Sequence, residues 1–182
     1  GGGFYASGDA AVTATGTHID NNLSGYDKDL TTDAVTRING DLRGGGFWMS
    51  GQARVTLTTA TVSGNEANTY GGGINMENET QLTVSGTTFA GNVGDNYGGA
   101  IRFATNARVE MSNSTISGNY SGFSRADNGG NLLYRRDGTV GGGIWSQSNW
   151  TVSLFNHVTI TDNYATSATG AGLYRSDAGS VT

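Results

Sequence analysis

The densest acidic stretch, Asp27-Lys28-Asp29-Leu30-Thr31-Thr32-Asp33, carries oxygen donors at the spacing of the first half of a calcium-binding loop. Such a loop turns sharply on a Gly at its sixth position and closes with a Glu at its twelfth. Here those positions hold Thr32 and Ile38. Two readings follow: calcium held weakly by Asp27, Asp29 and Asp33, or a solvated charged loop. A second polar stretch, from Tyr120 onward, holds Arg125, Arg135 and Arg136 with Asp127 and Asp137. Its guanidinium groups suit an acidic sugar, pairing with nearby acids, or solvent. His18 and His157 have no Ser or Cys nucleophile motif beside them, so nothing supports a hydrolytic triad. Polysaccharide lyases and hydrolases need clustered carboxylates, and these acids are scattered. The expectation is a chain with no catalytic residue and no resident metal or cofactor.

Composition limits the elements that could position such groups. Gly supplies 31 of 182 residues, Pro and Cys none, and the net charge is −5. An average chain would carry about 13 Gly and 9 Pro. Lys28 is the only Lys, and the helix-forming Glu and Lys together supply five residues. Helical bundles, zinc or disulfide scaffolds and basic nucleic-acid binders are excluded. No apolar run approaches the ~18 residues of a membrane-spanning helix. What remains is a β protein.

Self-comparison gives the organisation. Gly-Gly-(Gly/Ala)-apolar opens at Gly1, Gly44, Gly71, Gly98 and Gly141, with a looser copy at Gly170. Counting from each first Gly, position 4 reads Phe4, Phe47, Ile74, Ile101, Ile144 and Leu173. Position 12 reads Val12, Val55, Leu82, Val109, Val152 and Val181, and position 14 reads Ala14, Leu57, Val84, Met111 and Leu154. Ile19, Val62, Phe89 and Ile116 share position 19, with Ile160 joining after a one-residue insertion. Asn22, Asn65, Asn92, Asn119 and Asn163 form the last column. Two units have 27 residues, and two are lengthened after the Asn column by the insertions Leu23–Arg43 and Tyr120–Val140. The chain therefore repeats a second time, at 97 residues.

A 27-residue unit lacking a 3.6 period is one coil of a parallel β-helix, each residue stacked on its counterpart ~4.8 Å away. Inward aliphatic columns build a narrow core. Absence of Pro follows, because every coil needs its ladder donors. Position 21 (Asn21, Gly64, Gly91, Gly118 and Asp162) holds residue types that tolerate positive φ, so the chain turns there. The Asn column beside it reads as stacked amides bonded along the axis, or as ordinary turn residues. Replacing Asn92 by Ala is expected to cost on the order of 1 kcal/mol. No helix pattern or Gly-Lys-Ser/Thr follows the Gly-rich sites, which sets nucleotide binding aside.

Position 5 alternates outward and reads Tyr5, Trp48, Asn75, Arg102, Trp145 and Tyr174. Its aromatics Tyr5, Trp48, Trp145 and Tyr174 are candidates for a contact surface. They meet another subunit, stack on a glycan, or lie under the insertions. Outward Thr13, Thr15, Thr56, Thr58 and Thr83 resemble an ice-binding array, interrupted by Glu110 and Phe155. Five Asn-x-Ser/Thr sequons occur, at Asn22, Asn78, Asn113, Asn119 and Asn149. Trp150 sits in a variable turn.

Phe89-Ala90-Gly91-Asn92 and Gly98-Gly99-Ala100-Ile101 resemble the paired FxxN and GGA(I/L/V) motifs of chlamydial polymorphic outer-membrane proteins. More broadly, nearly the whole chain resembles right-handed parallel β-helix repeats of bacterial and archaeal surface proteins and autotransporter passengers. The resemblance implies right-handedness, an extracellular or cell-surface address, and adhesive or scaffold work. Residues 1–182 are expected to form one right-handed parallel β-helix of about 5.5 coils, a segment of a longer repeat protein. The expected function is non-enzymatic and structural, in a surface adhesin, filament or surface layer. Its partners would be copies of itself, other surface proteins or glycans. A carbohydrate-active or glycan-binding β-helix is the alternative.

Overall fold

The computed structural model describes residues 1–38, 40–147, 152–167, 169–176 and 180–181. Asn149, Trp150 and Thr182 lie outside them. Four parallel sheets run the length of the rod. Sheet I contains Phe4–Ala6, Phe47–Met49, Ile74–Met76, Ile101–Ala104, Ile144–Gln147 and Leu173–Arg175. Sheet II contains Ala11–Thr15, Arg54–Thr58, Gln81–Ser85, Arg108–Ser112, Val152–Asn156 and Ser180–Val181. Sheet III contains His18–Asp20, Thr61–Ser63, Thr88–Ala90, Thr115–Ser117 and Thr159–Thr161. Sheet IV contains the two-residue strands Leu23–Ser24, Glu66–Ala67, Val93–Gly94, Tyr120–Ser121 and Tyr164–Ala165. Six strands in two sheets and five in the others make the parallel β-helix of about 5.5 coils that the repeats imply.

Register follows the sequence columns through four coils. Ile74 pairs with Phe47 and Ile101, Leu82 with Val55 and Val109, and Phe89 with Val62 and Ile116. The inward residues at positions 4, 12, 14 and 19 fill the core. A column not singled out in the sequence, Ala6, Met49, Met76 and Phe103 at position 6, fills it from sheet I.

The fifth coil corrects one assignment. Val109 pairs with Ser153 and Met111 with Phe155, so Val152 and Leu154 do not continue columns 12 and 14. Because Ala104 pairs with Gln147, the extra residue falls between Gln147 and Val152, ahead of sheet II and not behind it. Leu154 consequently faces outward at 46% exposure, while Phe155 packs against the core and does not interrupt the outer face.

The turns rest on left-handed backbone. Asn21, Gly64, Gly91, Gly118 and Asp162 all have φ between 52° and 63°. A second such column, Gly16, Thr59, Gly86, Asn113 and His157, links sheets II and III. The Gly-rich opening has a different cause at its second position. A Cβ on Gly72 would lie 2.4 Å from the Val93 carbonyl and 2.5 Å from Gly99 O, both backbone. Sheets I and IV approach so closely there that no side chain fits.

Gly72→Ala should therefore destabilise the rod by more than about 3 kcal/mol, because backbone in two neighbouring coils must shift. Chemical denaturation checks this, and a loss below 1 kcal/mol would contradict the close approach.

Candidate functional site

The five Asn side chains occupy one column. Asn92 Oδ1 accepts from Asn65 N (3.1 Å) and Asn65 Nδ2 (3.0 Å). Its own Nδ2 donates to Asn119 Oδ1 (2.9 Å) and to the Val62 carbonyl of the preceding coil (2.8 Å). Asn65 and Asn119 repeat this pattern, Asn22 starts it by donating to Asn65, and Asn163 ends it by donating to Ile116 O. Asn65, Asn92 and Asn119 are wholly buried, so these amides have no water to fall back on.

Both insertions leave the rod after sheet IV as antiparallel hairpins, Tyr26–Lys28 with Val35–Arg37 and Phe123–Ser124 with Leu133–Tyr134. They meet over Glu66, a residue the repeat did not single out. Glu66 is 3% exposed and accepts from Tyr26 Oη (2.6 Å), Ser124 Oγ (2.7 Å), Arg125 N (3.0 Å) and Ala126 N (3.1 Å). Arg37 of the first hairpin pairs with buried Asp95 and donates to Asn68 O. At the base of that insertion Arg43 pairs with Glu77, which also binds Arg102 at 2.8 Å. The insertions close on each other and on the middle coils of their own chain.

Position 5 needs a correction. Tyr5 is 52% exposed and tilts against Trp48, with ring centroids 4.9 Å apart. Trp145, in contrast, is 5% exposed and offers no free ring to a partner. Val140, Tyr97 and Tyr174 pack around it, so the four aromatics do not form one exposed line. Tyr97 stacks on Trp145 at 5.1 Å and on Tyr70 at 6.0 Å, and Arg102 lies over both Tyr70 and Trp145. Burial pulls the Arg102 guanidinium below the ordinary arginine pKa, while Glu77 acts in the opposite sense. Beside this group opens a cleft of about 450 Å³.

Asp27, Asp29 and Asp33 of the first insertion have separate roles. Asp29 accepts from the backbone amides of Thr31 (2.7 Å) and Thr32, which hold its carboxyl below the usual value. Asp33 pairs with Lys28 at 2.9 Å, and that hydrogen bond lowers its pKa likewise. Asp27 is exposed on the hairpin. Among the described residues no group of three or more His, Cys, Asp or Glu could hold a metal ion. Elsewhere, His18 bonds Thr61 Oγ1 at 2.7 Å and His157 occupies a left-handed turn. Arg125 donates to Gly91 O and lies over the Tyr120 ring. Among the described residues no helix is long and apolar enough to cross a membrane.

A family model described as right handed beta helix region matches residues 1–182, and the chain belongs to that family. No curated protein and no solved structure matches.

Four hydrogen bonds converge on the Asn92 carboxamide, so Asn92→Ala should cost roughly 3 kcal/mol or more, above the single-bond figure. Equilibrium denaturation measures it; a cost under 1 kcal/mol would mean the column is dispensable. The Glu66 clasp responds to pH. Burial, then the neighbouring Glu66 carboxylate, push the Tyr26 hydroxyl well above the ordinary tyrosine value of 10.0. The folded chain thus holds this proton more tightly than the unfolded chain. The clasp contributes fully below about pH 10 and weakens as pH rises beyond it. Limited proteolysis should show the hairpins opening above that pH. Tyr26→Phe should open them partly at neutral pH and remove the alkaline step; a step that persists would assign it to another group.

Proposed function

We propose that the chain is a non-catalytic structural β-solenoid of the cell exterior, a segment of a surface adhesin or filament. The observation that carries this reading is the engagement of the carboxylates Glu66, Asp95 and Glu77. Glu66 accepts from four donors across the two insertions, Asp95 pairs with Arg37, and Glu77 is shared by Arg43 and Arg102. A catalytic carboxylate has to reach substrate and exchange a proton with it. These three brace a rod instead. The continuous ladders and the buried amide column support the same role, because a rod bonded residue by residue along its axis resists bending and local opening. The extracellular address rests on the likeness of the FxxN and GGAI motifs to those of surface proteins.

Two measurements test this. Protease treatment of intact source cells should remove the protein without lysis; complete protection would place it inside. Incubation of the purified chain with acidic and neutral polysaccharides, with and without calcium, should release no oligosaccharide. Release that disappears in Glu77→Gln would establish an enzyme and end the structural reading.

A further inference from the structure

The repeat is broken in one place on the outer face of sheet I, and a cleft lies there. The residue preceding the Gly-rich opening is aromatic only at Tyr70 and Tyr97; at the other openings it is Arg43, Val140 or Thr169. Arg102 and Trp145 follow one another in the adjacent outward column. A ladder feature recurs in every coil, whereas this group occurs once. It therefore contributes little to the repeating architecture, and its chemistry calls for a local cause.

We propose that this cleft binds an uncharged saccharide. Its volume, about 450 Å³, lies within the range of small-molecule pockets, ~300–1,000 Å³. One wall is formed by Tyr70, Tyr97 and Tyr174, each partly exposed, of which Tyr97 and Tyr174 pack on buried Trp145. Because Trp145 is held by Val140, Tyr97 and Tyr174, that wall is set before any ligand arrives, which lowers the entropic cost of binding. The lining also includes neutral polar residues, Gln147, Ser167, Thr169 and Ser176. Aromatic carbon together with neutral donors and acceptors in one cleft matches a sugar ring, which has an apolar C–H face and a hydroxyl periphery.

Charge decides which sugars. Among the described residues Arg102 is the only charged one lining the cleft, and it is paired at 2.8 Å with Glu77, which it shares with Arg43. Among the described residues no carboxylate lines the cleft. An anionic ligand would gain little from a guanidinium already paired. The fitting ligand is thus neutral and hydroxyl-rich. This deepens the non-catalytic reading, on which it rests for a ligand that leaves unchanged.

The experiment is a titration of the whole chain with neutral oligosaccharides and their carboxylated counterparts, at low and high salt. Calorimetry reports binding, and chromatography of the same samples reports cleavage. Neutral oligosaccharides should bind with affinity independent of salt. Tyr174→Ala and Gln147→Ala should each weaken binding about tenfold or more. Both sit at the cleft margin, and an unchanged melting curve shows that they fold. Preference for carboxylated sugars that fades with salt overturns the inference, as does binding unaffected by either variant or no binding at all. Cleavage products would instead overturn the non-catalytic reading, whatever the affinities.

Discussion

Everything in this molecule depends on one constraint: each residue must tolerate its counterpart about 4.8 Å above and below it. Aliphatic side chains meet the condition by packing on themselves, and the positions 4, 6, 12, 14 and 19 do so. A buried polar group meets it only if its donors and acceptors point along the axis in balance. The carboxamide has that balance. In Asn65, Asn92 and Asn119 the oxygen accepts from one neighbour while the nitrogen donates to the other and to a main-chain carbonyl. An Asp in this column would place acceptor against acceptor, and a Ser could not span both bonds.

The same constraint made much of the fold legible in the sequence and concealed the rest. Columns of one chemical type stand out when aligned, hence the core, the Asn series and the left-handed turn at position 21. The second left-handed column did not stand out, because Gly16, Thr59, Gly86, Asn113 and His157 share a conformation but no residue type. The fifth coil misled for a related reason. In Val152-Ser153-Leu154-Phe155 either alternate pair reads as an inward pair, and the extra residue can be placed before or after it. The ladder from Met111 to Phe155 decides the matter. The cover of Trp145 stayed open in the sequence because alternation gives the direction of a side chain relative to its own sheet, while its cover comes from Tyr97 and from Val140 of the second insertion.

Glu66 illustrates the limit of reading by repeats. It has no copy, so no column contains it. A signal was nevertheless present: position 23 reads Leu23, Val93, Tyr120 and Tyr164 in the other coils, and Glu is one of the scarcest residues in the chain. A lone carboxylate in an otherwise apolar outward column implies something laid over it. The two hairpins supply that cover, with a phenol, a hydroxyl and two backbone amides as donors. Sequence spacing alone could not reveal that insertions 97 residues apart turn toward each other and share one residue.

Sparse charge has the same origin. Two like charges stacked in register would repel by about 1 kcal/mol in water at 4 Å and by several times that near a protein surface. A charged residue therefore sits between neutral neighbours. Glu66 lies between Leu23 and Val93, and Arg102 between Asn75 and Trp145. Such residues are not repeated, and insertions and adjoining turns supply much of their compensation. Arg102 reaches Glu77, Glu66 receives the hairpins, and Arg37 reaches Asp95. In a solenoid the columns specify the rod, and the residues that cannot stack specify what is attached to its sides. The cleft beside Trp145 lies among those residues for this reason: a surface that recurs in every coil distinguishes no position along the axis, and a selective contact has to be built where the repeat gives way.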